Sequence, residues 1–453
     1  MINKTIFISA FNPFILRNVL ASNVLKTLKI DASIKVVVFV PDYKADFFKH
    51  EIGAPNVIVE GVAVWKTSRR DTIFKYLTSS LVSTRTILVN KRVRLARDGR
   101  WFRFAVSWLI MELFSRLPIF KALVRRLDYS TIRKDYCSNY FFKYRPQLVF
   151  ITDVFNDNDI FLLATAKRRG VSTIGMIRSW DNLTSKGILR IKPDKLIVHN
   201  EILQKQAIKY NDFSKKDIFI SGIPQYDRYI NGERMNREEF FKKIGLDPKQ
   251  KLILFSPFGG RFTDTDWQIM EILKGFIKNK EIIPAQVLIR FTPNDPVHLG
   301  KFIPDENFCI DKPGRSFEGR SIRDQELIDA DMDWLADCLY HSDVIVAGGG
   351  SIGIDAAIFS KPTILIHFDG FDKKPYWQSV KRFLEYQHPY DIIKSGAMFS
   401  AQNIEEFKKY LDASLKNPDL NTSARKEMLE NQCWKLDGYS GERIGKFLLS
   451  LLY

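Results

Sequence analysis

Short apolar runs alternate with helix-period stretches over most of the chain. The pattern predicts a strand over 4–10, a helix over 15–28, and strands over 35–41 and 57–62. A long, basic, mostly helical stretch follows over 68–144. Strands at 147–152, 172–177, 195–200 and 217–221 then alternate with helices at 159–169 and 201–210. These β runs are rich in β-branched residues and too uniformly apolar for a sheet with one wet face. They fit parallel strands covered by helices on both sides. A polar stretch at 231–250 interrupts the series and reads as a linker. A second series follows: strand 252–256, helix 264–278, strand 285–290, a polar loop over 311–331, helix 333–341, strand 343–347, helix 351–359 and strand 363–367. The tail is helical over 403–415 and 424–452.

The pattern implies an α/β protein of two Rossmann-like domains, 1–230 and 251–453, the first carrying the insertion at about 68–144. The expected arrangement has the two facing across a cleft, with the C-terminal helix crossing back. Carboxyl ends of parallel strands would open on that crevice, where ligands bind in such folds.

Composition adds bounds. The chain has 453 residues, 45% hydrophobic and 27% charged, enough apolar mass for two cores. No stretch reaches the roughly 18 apolar residues of a membrane span. The start has no basic, apolar and small-residue succession of a secretory signal, so a cytoplasmic protein is expected. Cys137, Cys309, Cys338 and Cys433 are scattered, without a CxxC pair, which argues against disulfides or structural zinc.

The net charge of +17 calls for anionic company. Much of it crowds the first third, in a basic region over 91–134 that includes Arg97, Arg100, Arg103, Arg125, Arg126, Arg133 and Lys134. Trp101, Phe102, Trp108, Leu109 and Phe120 lie among these cations. A helix in an anionic membrane interface and an ordinary buried helix with basic ends both fit that mixture. Nucleic acid is not expected as a partner, since no RNP, KH, helix-turn-helix or zinc pattern occurs.

The most informative segment is Ser342-Asp343-Val344-Ile345-Val346-Ala347-Gly348-Gly349-Gly350-Ser351-Ile352-Gly353-Ile354-Asp355. A strand ends in three glycines and a helix begins. Glycine lets the backbone turn tightly and approach a ligand, and bare N–H groups at a helix start favour phosphate. Tight strand-to-helix turns also exist for folding alone. The run is neither the dinucleotide fingerprint nor a P-loop. Asp355, one turn on, is placed to reach a hydroxyl. Lys361-Pro362 then leads into a strand ending His367-Phe368-Asp369.

This succession resembles the GT-B glycosyltransferases and the related UDP-N-acetylglucosamine 2-epimerases and CDP-glycerol glycerophosphotransferases. Asp217–Asp227, with its Gly222-Ile223-Pro224, resembles the step into the interdomain linker of the glycerophosphotransferases. Residues 252–258 resemble the strand opening their donor domain, and Asp437-Gly438 with Arg443-Ile444 their closing helix. Where they carry His-Pro, this chain reads Arg290-Phe291-Thr292-Pro293. The resemblance implies a donor diphosphate at Gly349, Gly350 and Ser351, beside Gly348, and a ribose at Asp355. It also implies a donor sugar near His367 and Asp369. The diphosphate charge would be met by backbone N–H groups and by Arg261 or Arg290, with no metal and no cofactor.

On the acceptor side, Asp153 follows a strand and is the candidate base for an acceptor hydroxyl. Asp157 reads better as a helix cap. Arg178, Trp180, Asp181 and Lys186 crowd one loop, offering cations for anionic groups and a ring for stacking; a solvated surface loop is the competing reading. Asn12 and Arg17 follow the first strand. The expected activity is glycosyl transfer from a nucleotide sugar to a glycan or lipid-linked acceptor in surface polysaccharide synthesis. Sugar-nucleotide 2-epimerase, CDP-polyol phosphotransferase, nucleic-acid binder and inactive glycan binder are the alternatives.

Overall fold

The computed structural model describes residues 4–65, 67–132, 136–349 and 351–453. The chain divides into two compact units. The first comprises residues up to Leu95, Gly99–Ile230 and Cys433–Tyr453; the second comprises Asn231–Gln432 with Ala96–Asp98.

Seven parallel strands form the sheet of the first unit: β1 Lys4–Ser9, β2 Ile34–Pro41, β3 Val57–Val62, β4 Leu148–Ile151, β5 Ser172–Met176, β6 Lys195–Val198 and β7 Ile218–Ile220. Their order is β3-β2-β1-β4-β5-β6-β7. Side chains alternate between two buried faces. Phe7, Val37 and Val149 join one core, while Ile6, Ile8, Val36, Val38 and Phe150 join the other. That is why these strands read as continuous apolar runs.

The helix expected over 15–28 is two elements. A π-helical turn, Leu16–Leu20, precedes helix Asn23–Ile30, because the Ser22 hydroxyl accepts the Val24 N–H and starts a new helix. Within 68–144 the described residues form five helices joined by short non-helical links: Arg69–Ser80, Arg85–Asp98, Trp101–Phe114, Pro118–Thr131 and Ser138–Tyr144.

The sheet of the second unit comprises β8 Lys251–Ser256, β9 Ala285–Arg290, β10 Phe308–Asp311, β11 Val344–Ala347, β12 Thr363–Ile366 and β13 Phe399–Ala401. It is also all parallel, in the order β10-β9-β8-β11-β12-β13. The edge strands β10 and β13 carry no apolar run long enough to announce them. The polar stretch 231–250 opens this unit as packed structure: from helix Arg237–Ile244, the Arg237 guanidinium donates to the carbonyls of Pro248, Gln250 and His341.

The tail helix expected over 424–452 breaks at Trp434 and Gly438, both at positive φ, into Thr422–Cys433 and Ser440–Ser450. The second unit therefore ends at Gln432 rather than 453, and the last helix belongs to the first unit. It lies on helix Asn23–Ile30. A β-carbon on Gly445 would come within 2.5 Å of the Thr27 β-carbon, so glycine sets the approach. Among the described residues, no helix is long and apolar enough to cross a membrane.

Candidate functional site

In each sheet the chain builds outward on one side, then on the other, leaving a switch point between two neighbouring strands. Loops leaving those strands part there and make a crevice for ligands. The switch lies between β1 and β4 in the first unit and between β8 and β11 in the second. The loops following these four strands carry Asn12, Asp153, the Gly259–Arg261 segment, and Gly348 and Gly349 ahead of the helix that begins at Ser351.

In the first unit the two switch strands are tied together: the Thr152 hydroxyl donates to the Ser9 carbonyl, and the Ser9 Oγ accepts the Thr152 N–H. Ser9 Oγ also donates to Asp159, whose carboxyl is pushed well above the usual range by complete burial and then by nearby Asp153. Asp153 is the hub of the crevice. Its Oδ2 accepts from Asn12 Nδ2 and Arg178 Nε, both at 3.0 Å, and its Oδ1 accepts the Phe155 N–H. Two guanidiniums lie near the Phe14 ring, Arg17 at 5.1 Å and Arg178 at 5.2 Å. Lys186 is exposed, its Nζ 5.7 Å from the Phe155 ring. Asn12, Arg17, Asp153 and Arg178 thus form one cluster around Phe14 and the end of β4, with Lys186 beside Phe155.

Other expectations are corrected. Asp153 is 1% exposed with both oxygens occupied, so it positions Asn12 and Arg178 instead of standing open as a base. Trp180 is buried edge-on to His199 and beside Tyr226, a support under the loop more than a free stacking face. Asp181 accepts from the hydroxyls of Ser179 and Ser185 and organises its own loop. The helix after β4 is capped by Asn156; Asp157 pairs with Lys75 and Arg190.

His199, just after β6, escaped the sequence reading. Burial, and then Arg178, hold its imidazole down to about 4, and its Nδ1 has no hydrogen-bond partner. Its place at a strand end was the available signal.

In the second unit, Gly348 packs directly on Phe258: a β-carbon there would sit 2.4 Å from the ring. Gly349 is the opposite case, with nothing within 4 Å of a β-carbon. Ser351 is exposed at the start of helix Ser351–Ile358, and Asp355 is half-buried on it. Gly350 lies outside the described residues. The facing loop is held by carboxylates that sequence reasoning missed. Asp266 accepts the N–H groups of Phe258 and Gly259, and Asp295 accepts that of Arg261. Burial pushes Asp266 up to about 6, against the pull of those two N–H groups. Arg261 itself is exposed.

Three expected donor contacts have other partners. Arg290 is buried and binds Asp311 and the Asp331 carbonyl, which fastens β9 to its neighbours. His367 is buried against Ser400 Oγ at 2.8 Å, and burial lowers it to about 4, leaving it neutral at pH 7. Asp369 accepts from the Ser379 hydroxyl and the Val380 N–H, and so holds the short helix Val380–Glu385. Among the described residues no His, Cys, Asp or Glu cluster is built for a metal.

No curated protein matches the chain in sequence. Solved structures share its fold. One is UDP-GlcNAc 2-epimerase from Methanocaldococcus jannaschii, at 14% identity and TM-score 0.55 over 98% of this chain and 99% of that one. Another is UDP-GlcNAc 2-epimerase from Neisseria meningitidis bound to UDP-GlcNAc, at 10% identity and TM-score 0.58 over 99% and 100%. The glycotransferase of kitacinnamycin follows at 13% and 0.51 over 99% and 98%. At such identities the likeness is one of fold: two Rossmann-like domains of the GT-B type. The sequence goes further. Residues 189–450, more than half of the chain, match the family described as CDP-Glycerol:Poly(glycerophosphate) glycerophosphotransferase, and the chain belongs to that family.

Proposed function

We propose that the protein is a transferase that takes a glycosyl group from a nucleotide sugar to a glycan or lipid-linked acceptor of a surface polysaccharide. The observation that carries this reading is the turn at the β8/β11 switch point. Gly348 is locked on Phe258, while Gly349 and Ser351 stand open at a helix start. Backbone N–H groups there suit a diphosphate, Arg261 adds a positive charge, and Asp355 suits ribose. On the other sheet, Arg17, Arg178 and Lys186 suit an anionic acceptor such as a lipid-linked phosphate. The reaction needs no resident cofactor or metal in this reading, and it takes place on the cytoplasmic side, against an anionic membrane.

Family membership favours a second reading, polyol-phosphate transfer from a CDP-polyol. The two differ in the bond broken. Glycosyl transfer cleaves the bond from sugar to diphosphate and releases a nucleoside diphosphate. Polyol-phosphate transfer cleaves the diphosphate and releases a nucleoside monophosphate. Incubating the protein with nucleotide sugars and with CDP-glycerol, and identifying the released nucleotide, decides between them. Monophosphate from CDP-glycerol alone would replace the first reading by the second. An altered sugar still attached to its nucleotide would make the protein an epimerase.

A further inference from the structure

We infer that the second unit carries a further binding site, for a nucleoside monophosphate, at the amino ends of β11 and β12. The site goes beyond the proposed function and stands whichever transfer chemistry holds. It lies at the opposite end of the sheet from the glycine turn. β11 ends at Ala347, just before that turn, and Asp343, the residue before β11, lines a hollow at its other end. The four residues of the strand separate the two by roughly 13 Å. The hollow has a volume of about 760 Å³ and is walled by residues from 234–237, 340–343 and 358–361. That is the size of a small-molecule site.

Charge sets one half of the ligand. The wall holds three cations, Arg234, Arg237 and Lys361, and one carboxylate, Asp343. Asp343 is already matched: it pairs with Lys251 at 2.9 Å and accepts the Leu252 N–H. Arg234 is matched by Asp337 at 3.7 Å. Arg237 fastens the wall through three backbone carbonyls, none of which carries a full negative charge. Lys361 has no such task. It is half-buried, and among the described residues its Nζ makes no hydrogen bond or ion pair; the Tyr340 ring lies 5.9 Å away. Burial pushes it below the usual lysine range, and an anion beside it would stabilise the charged form. Two cations without a carboxylate suit a phosphomonoester, which carries about two negative charges at pH 7.

Aromatic side chains set the other half. Tyr340 is 47% exposed and Phe359 half-buried, their rings edge-on at 6.2 Å. Each ring has a cation of the wall beside it, Lys361 at Tyr340 and Arg234 at Phe359, the latter at 6.0 Å. Rings bordered by cations hold a base by its face and its phosphate by charge. A sugar phosphate would use the cations and leave Tyr340 idle.

Calorimetric titration of the full chain with cytidine and uridine 5′-monophosphate tests this, with inorganic phosphate as the comparison. A saturable event is expected that Lys361→Gln and Tyr340→Ala each weaken about tenfold. Lys361→Arg and Tyr340→Phe should preserve it, and so should Gly348→Ala at the other end of β11. With the monophosphate present, hydrogen exchange should slow at 340–343 and 359–361. No saturable binding below about 10 mM overturns the inference, as does binding equally strong in Lys361→Gln and Tyr340→Ala. Inorganic phosphate binding as tightly as the nucleotides also overturns it, since the rings would then contribute nothing. Binding lost in Gly348→Ala but kept in Lys361→Gln would put the nucleotide at the glycine turn alone. That outcome removes this site and leaves the donor reading standing.

Discussion

A β-carbon on Gly348 has nowhere to go, since the Phe258 ring occupies the space 2.4 Å away. Gly348→Ala should therefore push the Gly-rich turn off β8, costing about 1–3 kcal/mol of stability and weakening nucleotide binding. Gly349→Ala, in open space, should leave the melting temperature nearly unchanged and serves as its control. In the first unit the informative change is Asp153→Asn. It keeps the shape but removes the charge that holds Arg178 at 3.0 Å. Acceptor kcat/KM should fall at least tenfold through a higher acceptor KM, with nucleotide affinity, read by titration, unchanged; unaltered acceptor kinetics would take Asp153 out of the site. His367 makes a pH prediction. Its pKa falls from 6.5 to about 4 on folding. The unfolded chain thus takes up a proton that the folded chain refuses. Its contribution is whole above pH 6.5 and is lost as pH drops toward 4, by about 3 kcal/mol in total. In urea denaturation, the stability gap between wild type and His367→Gln should shrink by about that amount from pH 7 to pH 4. Measuring the gap cancels Asp266, whose raised value has the opposite sign: its contribution is present below pH 4 and lost as pH rises through 6.

At the scale of elements, what sequence revealed depended on whether one element could reveal itself. The nine strands inside the two sheets are buried almost throughout, and each shows as an apolar run of its own. Strands β10 and β13 lie at a sheet edge and are mostly half-buried, so they carry no continuous apolar run to read. The first helix was misread because its apolar spacing continues through the π-helical turn; Ser22 alone marked the break. The same logic governs the sites. The glycine turn was legible because glycine is a backbone statement. The partners of Arg290, His367 and Asp369 were not, because Asp311, Ser400 and Ser379 approach them only in three dimensions. Asp227 shows the cost of such a distant partner. It accepts the N–H groups of Ser440 and Gly441 and so caps the last helix from far along the chain. Asp227→Ala should cost about 1–2 kcal/mol and expose the segment after Cys433 to protease ahead of the rest. Unchanged cleavage kinetics would show the helix held by its packing on Asn23–Ile30 alone.

For the whole molecule, the proposed function assigns donor and acceptor binding to two sheets with separate cores, and that assignment can be tested directly. Hydrogen exchange on the intact chain with a nucleoside diphosphate present should slow at 258–262 and 348–355, where the N–H groups would gain an oxyanion partner. The segment at 12–20 should not slow. A ligand present at a hundred times its Kd stabilises the state it binds by about 2.7 kcal/mol. Amides that open locally at the turn should therefore slow by up to about a hundredfold, while the sheet strands of the first unit change little. The argument rests on locality: the turn exposes Gly349 and Ser351, and an anion held there acts on the few N–H groups it touches. Protection centred on Asn12 and Arg178 instead would place the nucleotide on the first sheet and exchange the roles of the two units. Protection at neither would remove the phosphate from the glycine turn, and the donor-side proposal with it.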